Sequence, residues 1–327
     1  MTAFTKQYFR RKVLFAKAES TYGTDAEPTG ALNAILTRDL TIEPLNGEAL
    51  SRELDKSTFG ADPGTRVGVH ARITFQVEIA GSGDAGDLPA YHPLMLGSGH
   101  SFTVLDDGGG TPVDIAVRYR PQDTGTTSLT LYVPFDRTLH KVVGARGSLR
   151  ITGAKRQYGY MEFEFLGLIE SITDQANMPE TDLSAFVKPV PFRESTVNFS
   201  AFGATRAMHS FTLTGGQQVA FYEHSESESI EQEDRNASFE ALVQQQLVAD
   251  WGIWNQIQTD TLGAISMIWA PAADTGDNTF GLYVPNAQIL EVSQADEQGV
   301  KAIQISGPCT TDGTDPDYEI IVGVQPA

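Results

Sequence analysis

Over 327 residues, 42 Asp and Glu stand against 23 Lys and Arg, and the net charge of −19 argues against binding nucleic acid by neutralising its phosphates. The single cysteine, Cys309, excludes a disulfide framework and a cysteine-based metal site, and points to maturation in a reducing compartment. The length suits two ordinary domains, and no apolar run approaches the ~20 residues that span a bilayer.

In chain order, Lys6, Arg10, Arg11 and Lys12 precede an apolar run, Val13 to Ala16, that is too short for a signal peptide. The Gly, Pro and Thr of residues 17–29 predict a turn and a helix start, with Leu32, Ile35 and Leu36 on one helical turn. After a short strand at 40–42, residues 45–68 show no apolar period and predict a long connection, functional or unordered by itself. Arg72 to Ile79 alternates strictly, with Ile73, Phe75, Val77 and Ile79 against Arg72, Thr74, Gln76 and Glu78, which predicts a half-buried strand. Asp87 as N-cap and Gly97 as stop predict a short helix over 87–96. A hairpin is expected next, with strands at 113–119 and 128–133 around the turn Asp123-Thr124-Gly125. Strands at 147–152 and 161–166 follow, the latter setting Met161, Phe163 and Phe165 against Glu162 and Glu164.

Pro179, Pro189 and Pro191 mark 172–195 as a linker between a domain at 1–171 and a second at 196–327. In the second, strands are expected at 197–200, 211–213 and 219–222, and the acidic run 223–236 reads as a solvated face. Phe239, Leu242, Val243, Leu247 and Trp251 recur at helical spacing from Ser238 to about Gln256. Strands at 265–270, 280–284, 300–305 and 318–322 complete this half.

One motif occurs twice. Asp123-Thr124-Gly125 runs on to Leu131-Tyr132-Val133-Pro134, and Asp274-Thr275-Gly276 runs on to Leu282-Tyr283-Val284-Pro285, an offset of 151 with seven identities in twelve positions. Ile151-Thr152-Gly153 and Ile305-Ser306-Gly307, then Phe165-Leu166-Gly167 and Ile321-Val322-Gly323, extend the echo at drifting offset. Paired Asp-Thr-Gly loops are what a two-lobed aspartic protease needs for a dyad sharing one proton, with Asp123 and Asp274 as the carboxylates. The flanks fit poorly: Pro121-Gln122 and Ala272-Ala273 stand where apolar residues belong, and Asp277 follows Gly276. An Asp-x-Gly between strands is ordinary turn chemistry, since Asp caps its own turn and Gly accepts positive φ, so Asp123, Gly125, Asp274 and Gly276 read foremost as repeated hairpin turns. A two-domain β binding module is the remaining alternative. The six histidines have no metal-ligand spacing, no Ser or Cys sits in a nucleophile elbow, and no cofactor is expected.

Over about the first 170 residues of this chain, the segment Glu19-x-x-Tyr22-Gly23-Thr24 with Pro28-Thr29, the charged loop after Ile42, the strand ending Ile79-Ala80-Gly81, the helix with Gly97, and Gly144-Ala145-Arg146-Gly147 resemble major tail tube proteins of long-tailed, siphovirus-like bacteriophages. The resemblance implies a mainly β fold: two sandwich or half-barrel domains, each with a flanking helix. Six such domains would close a ring around a β-barrel lumen, so that three duplicated chains, or six chains if the second half decorates the outside, form each ring of a stacked tube. It also implies a virion location after synthesis in the bacterial host cytoplasm, and no catalysis. Partners would be copies of itself, a tape-measure protein, and tail terminator and tail-tip proteins, with DNA passing through the lumen without specific binding. Glu78, Glu162 and Glu164 become candidates to face that lumen, and Arg52, Glu53, Asp55 and Lys56 candidates for an inter-ring loop.

Overall fold

The computed structural model of the chain describes residues 6–84, 86–106, 114–271, 278–311 and 320–324. The fold is mainly β, in large antiparallel sheets with three short helices among the described residues. In the first half the elements are β1 (Leu14–Ala18), α1 (Gly30–Asn33), β2 (Ala34–Ile35), β3 (Arg38–Leu50), β4 (Thr65–Glu78), α2 (His92–Gly97), β5 (His100–Asp106), β6 (Asp114–Pro121), β7 (Leu129–Phe135), β8 (Thr138–Ala154) and β9 (Tyr160–Asp174). The second half contributes β10 (Val197–Ala201), β11 (Ala204–Thr205), β12 (Met208–Thr214), β13 (Gln217–Glu223), β14 (Glu228–Arg235), β15 (Ser238–Gln244), α3 (Ile253–Gln258), β16 (Leu262–Trp269), β17 (Phe280–Gln288), β18 (Glu291–Glu297), β19 (Val300–Thr310) and β20 (Ile321–Val324).

Eight strands form one continuous antiparallel run, β3-β4-β9-β8-β12-β15-β19-β18. Its two quartets have the same connectivity. A pair joined through an excursion (β3 and β4; β12 and β15) is followed by the later strand of a hairpin (β9; β19) and then the earlier one (β8; β18). The quartets meet head to tail where β8 residues 150–154 pair with β12 residues 210–214. A second sheet, β5-β6-β20-β17-β16-β10, also crosses between halves, because β20 pairs with β17 on one side and β6 on the other. Period-two burial explains why these residues make strands. Ile73, Phe75 and Val77, then Met161, Phe163 and Phe165, then Phe239, Ala241 and Val243 point inward in turn. They belong to one core, together with Val117, Tyr119, Met267, Trp269, Leu282 and Val322 of the second sheet.

Several expectations need correction. β6 and β7 are not a hairpin: β6 lies between β5 and β20, and β7 between β1 and β8, so 122–128 carries the chain from one sheet to the other. Leu129 through Pro134 are all buried, which suits a strand enclosed on both faces. In the second half β16 and β17 do pair as a hairpin, although Asp274 and Gly276 lie outside the described residues. Ile151 and Ile305 lie on β8 and β19, and Phe165 and Ile321 on β9 and β20; by connectivity β19 matches β9, so those echoes join non-equivalent strands.

The connection expected at 45–68 is a long arm, since β3 and β4 stay paired out to Leu50 and Thr65 and only 51–64 lie beyond them. The helix expected over 87–96 is α2, which begins at His92 with Tyr91 and not Asp87 at its N-cap. Residues 238–244 are strand, and the helix is confined to 253–258. Phe239, Ala241 and Val243 alternate inward, while Leu247, read as part of a helical stripe, is exposed. The acidic run contains β14, with Ile230 fully buried. Residues 175–195 form no helix or strand but are packed down: Phe192 is buried, and the Trp269 indole N–H donates to the Val190 carbonyl at 3.0 Å.

Candidate functional site

The eight-stranded sheet has one apolar face, against the second sheet, and one polar face. Cross-strand register builds the polar face in rows. One runs Glu78, Tyr160, Thr152, Thr212, Glu240, Ser306, Glu291 across seven strands and both halves. The next carries Gln76, Glu162, Arg150, Thr214 and Ser238, and a third Thr74, Glu164 and Ser148. Glu78, Glu162 and Glu164 therefore share this face. They do not form a bare acidic lining. Arg72 forks onto Glu164, with Nε and one terminal nitrogen at 2.8 and 2.9 Å from its two oxygens. Glu162 accepts from the Gln76 amide at 3.1 Å and lies 3.6 Å from Arg150. A hollow of about 470 Å³ opens on this face between Thr74, Ser148, Glu162 and Gln217.

The sheet ends in two unpaired edges. Among the described residues β3 pairs only with β4, and β18 only with β19. Such edges present rows of free N–H and C=O groups to another chain.

The arm carries Arg52, Glu53, Asp55 and Lys56, all exposed. Lys56 is tied to Asp62 by an ion pair, and the Leu54 amide donates to Asp62 at 3.3 Å. Leu45, Leu50, Leu54 and Phe59 are also exposed, Phe59 completely, a signal that the charge pattern of this segment obscured.

Asp123, one of the two aspartates of the repeated motif, accepts an ion pair from Arg235 of β14 at 3.1 Å, and Arg235 is almost wholly buried. The described partner of that carboxylate is thus a guanidinium from the other half of the chain. Gly125 has φ +71°, the left-handed conformation that the turn reading requires.

The Glu19–Thr24 motif is a fastening. Glu19 accepts from the amides of Gly23 and Gly144 (2.8 Å each) and from Ser128 and Thr130 (2.6 and 2.9 Å), pinning the segment onto β7 and β8. The Tyr22 hydroxyl accepts from the Ile230 amide at 2.6 Å, and Arg146 lies over the Tyr22 ring at 5.0 Å while donating to the Ile230 carbonyl at 2.7 Å and to Glu231. Burial pushes the Tyr22 hydroxyl up, so it stays protonated while it accepts. Nearby, Asp25 is drawn up by burial but held below its usual range by donors from Tyr132, the Glu27 amide and Lys141. Tyr132 is pushed up to about 12 by burial and by that carboxylate.

At the far end of the sheet a cleft of about 630 Å³ is lined by Phe192, Phe199 and Met208 together with Lys155, Arg156, Arg193, Glu194 and the buried Arg206. Lys155 is neutralised by Glu297, and Arg206 lies over the Trp251 ring at 4.3 Å. No helix among the described residues is long and apolar enough to cross a membrane. No protein-family model matches the chain, and no curated protein matches it significantly.

Proposed function

We propose that the chain is the major subunit of a non-contractile phage tail tube, a structural virion protein without catalytic role. The observation that carries this reading is the head-to-tail seam between β8 and β12, which leaves β3 free at one edge of the sheet and β18 free at the other. By the repeated connectivity, β18 stands to β3 of a second copy as β8 stands to β12. A heterologous contact of this kind closes into a ring if the rotation allows. Three chains would supply six quartets, or 24 strands, well past the 16–18 at which barrels already leave an aqueous channel. The polar face would then line the lumen, with Glu78, Glu162 and Glu164 in its wall. Arg72 and Arg150 offset Glu164 and Glu162, and Glu78, Glu240 and Glu291 leave the wall net negative, so such a wall would let DNA pass without holding it. The implied partners are further copies of the chain, a tape-measure protein inside the growing tube, and terminator and tip proteins at its ends.

Negative-stain microscopy and sedimentation of concentrated protein test the reading. Rings of three times 35.4 kDa, stacking into tubes, are expected; a species that remains a monomer at high concentration overturns it.

A further inference from the structure

The β13–β14 hairpin occupies in the second quartet the place that the arm, 51–64, occupies in the first, since each joins the two strands that open its quartet. The hairpin folds back across the β8–β12 seam and caps one end of the first half. Ile230 is fully buried there under Tyr22 and Arg146, Phe221 stacks on His70 at 5.2 Å, and Arg235 reaches Asp123. The matching end of the second half, where β15 begins and β18 starts, has no such cap among the described residues. Leu262, opposite Gln288 in the β16–β17 pair, is 49 % exposed, and Leu290, two residues past Gln288, is 53 % exposed. The arm is the complementary case, with Leu54 and Phe59 exposed at its tip and no surface beneath them. The two cannot readily meet within one chain. The arm springs from β3 at one edge of the sheet and the bare end lies beside β18 at the other, seven strand spacings or on the order of 34 Å away.

We infer that the arm of one copy folds back over the second half of its ring neighbour, repeating between chains the strap that β13–β14 makes within one. Leu54 and Phe59 cover Leu262 and Leu290 of that neighbour. The occupant is a second copy of this chain, and the inference rests on the ring reading given above.

The test mixes two variants, Phe59→Cys and Leu290→Cys, in a chain whose own Cys309 is buried, and oxidises the assembled fraction. A disulfide-linked dimer that forms only from the mixture is expected. Leu54→Asp with Phe59→Asp should raise the concentration for half-assembly more than about tenfold while leaving the monomer folded. Rings that assemble without the cross-link overturn the strap and leave the ring reading standing. A cross-link from Phe59→Cys to Arg193→Cys, at the far end of the sheet, overturns it by placing the arm on a copy stacked end-on. Failure of any assembly in sedimentation removes both.

Discussion

His100 shows how burial at a single residue makes the fold sensitive to acid. It is fully buried and hydrogen-bonds Ser98 at 3.1 Å; burial first, and the Arg235 charge second, push it down to about 4. Its ordinary value near 6.5 applies in the unfolded chain, so between these values the unfolded state binds the extra proton and stability falls as the pH falls. The loss is complete below about pH 4 and amounts to roughly 3 kcal/mol. Asp25 acts in the same direction, because a carboxylate held below its usual range gives stability that disappears when it is protonated. Denaturant melts at pH 7 and pH 4.5 should therefore differ, and His100→Gln should reduce the difference, the remainder coming in part from His92, His140 and His209, which burial also pushes down; an unchanged slope would count against the buried neutral imidazole. At Tyr22, Phe substitution leaves the Ile230 N–H without its acceptor and should cost about 1–2 kcal/mol in the same assay. Asp123→Asn loses an ion pair whose acidic partner is half exposed, and should leave the fold intact with only a small drop in stability.

Among elements, the β13–β14 hairpin is seated by one fully buried apolar side chain, Ile230. Ile230→Ala should cost about 2–4 kcal/mol and expose the turn at 224–227 to limited proteolysis while the sheets stay protected. β18 offers a test of the free edge. Of the adjacent residues Ser293 and Gln294, one N–H points to β19 and the other to the open side, so one of Ser293→Pro and Gln294→Pro should fold normally yet fail to assemble. Normal rings from whichever variant folds would place ring closure elsewhere. The strands with one buried face, β4 and β9, were legible in the sequence because alternation is a local property. β15 was not, because Phe239 and Val243 fit helical spacing with Leu242 as readily as alternation with Ala241, and only the partners β12 and β19 decide between them. β14 was hidden for the opposite reason: with one apolar residue among five charges it carries no period at all. Asp123-Thr124-Gly125 marked a bend in the chain, but turn chemistry does not say whether the chain returns along the same sheet or crosses to the other. The polar face could be read residue by residue, whereas its rows across both halves, and the cations that compensate them, depend on register that no single segment contains.

For the whole molecule, the net charge of −19 sets the terms on which copies can meet. The contacts expected to hold neighbours together are backbone hydrogen bonds along β3 and β18 and apolar side chains of the arm, and neither is weakened by salt. Repulsion between two strongly acidic chains is another matter. At 10 mM salt the Debye length is about 30 Å, comparable with the width of the eight-stranded sheet, so charges across the full face of each copy oppose approach; at 150 mM it is about 8 Å, and only charges at the seam remain in range. Raising the salt from 10 to 150 mM should therefore lower the concentration at which half of the protein sediments as rings, with the monomer's melting temperature changing little. Assembly that weakened over the same range would mean that ion pairs, and not the sheet edge and the arm, hold the copies together. Duplex DNA added at 150 mM salt should sediment independently of the protein, because a chain with a net charge of −19 gives its phosphates no net attraction.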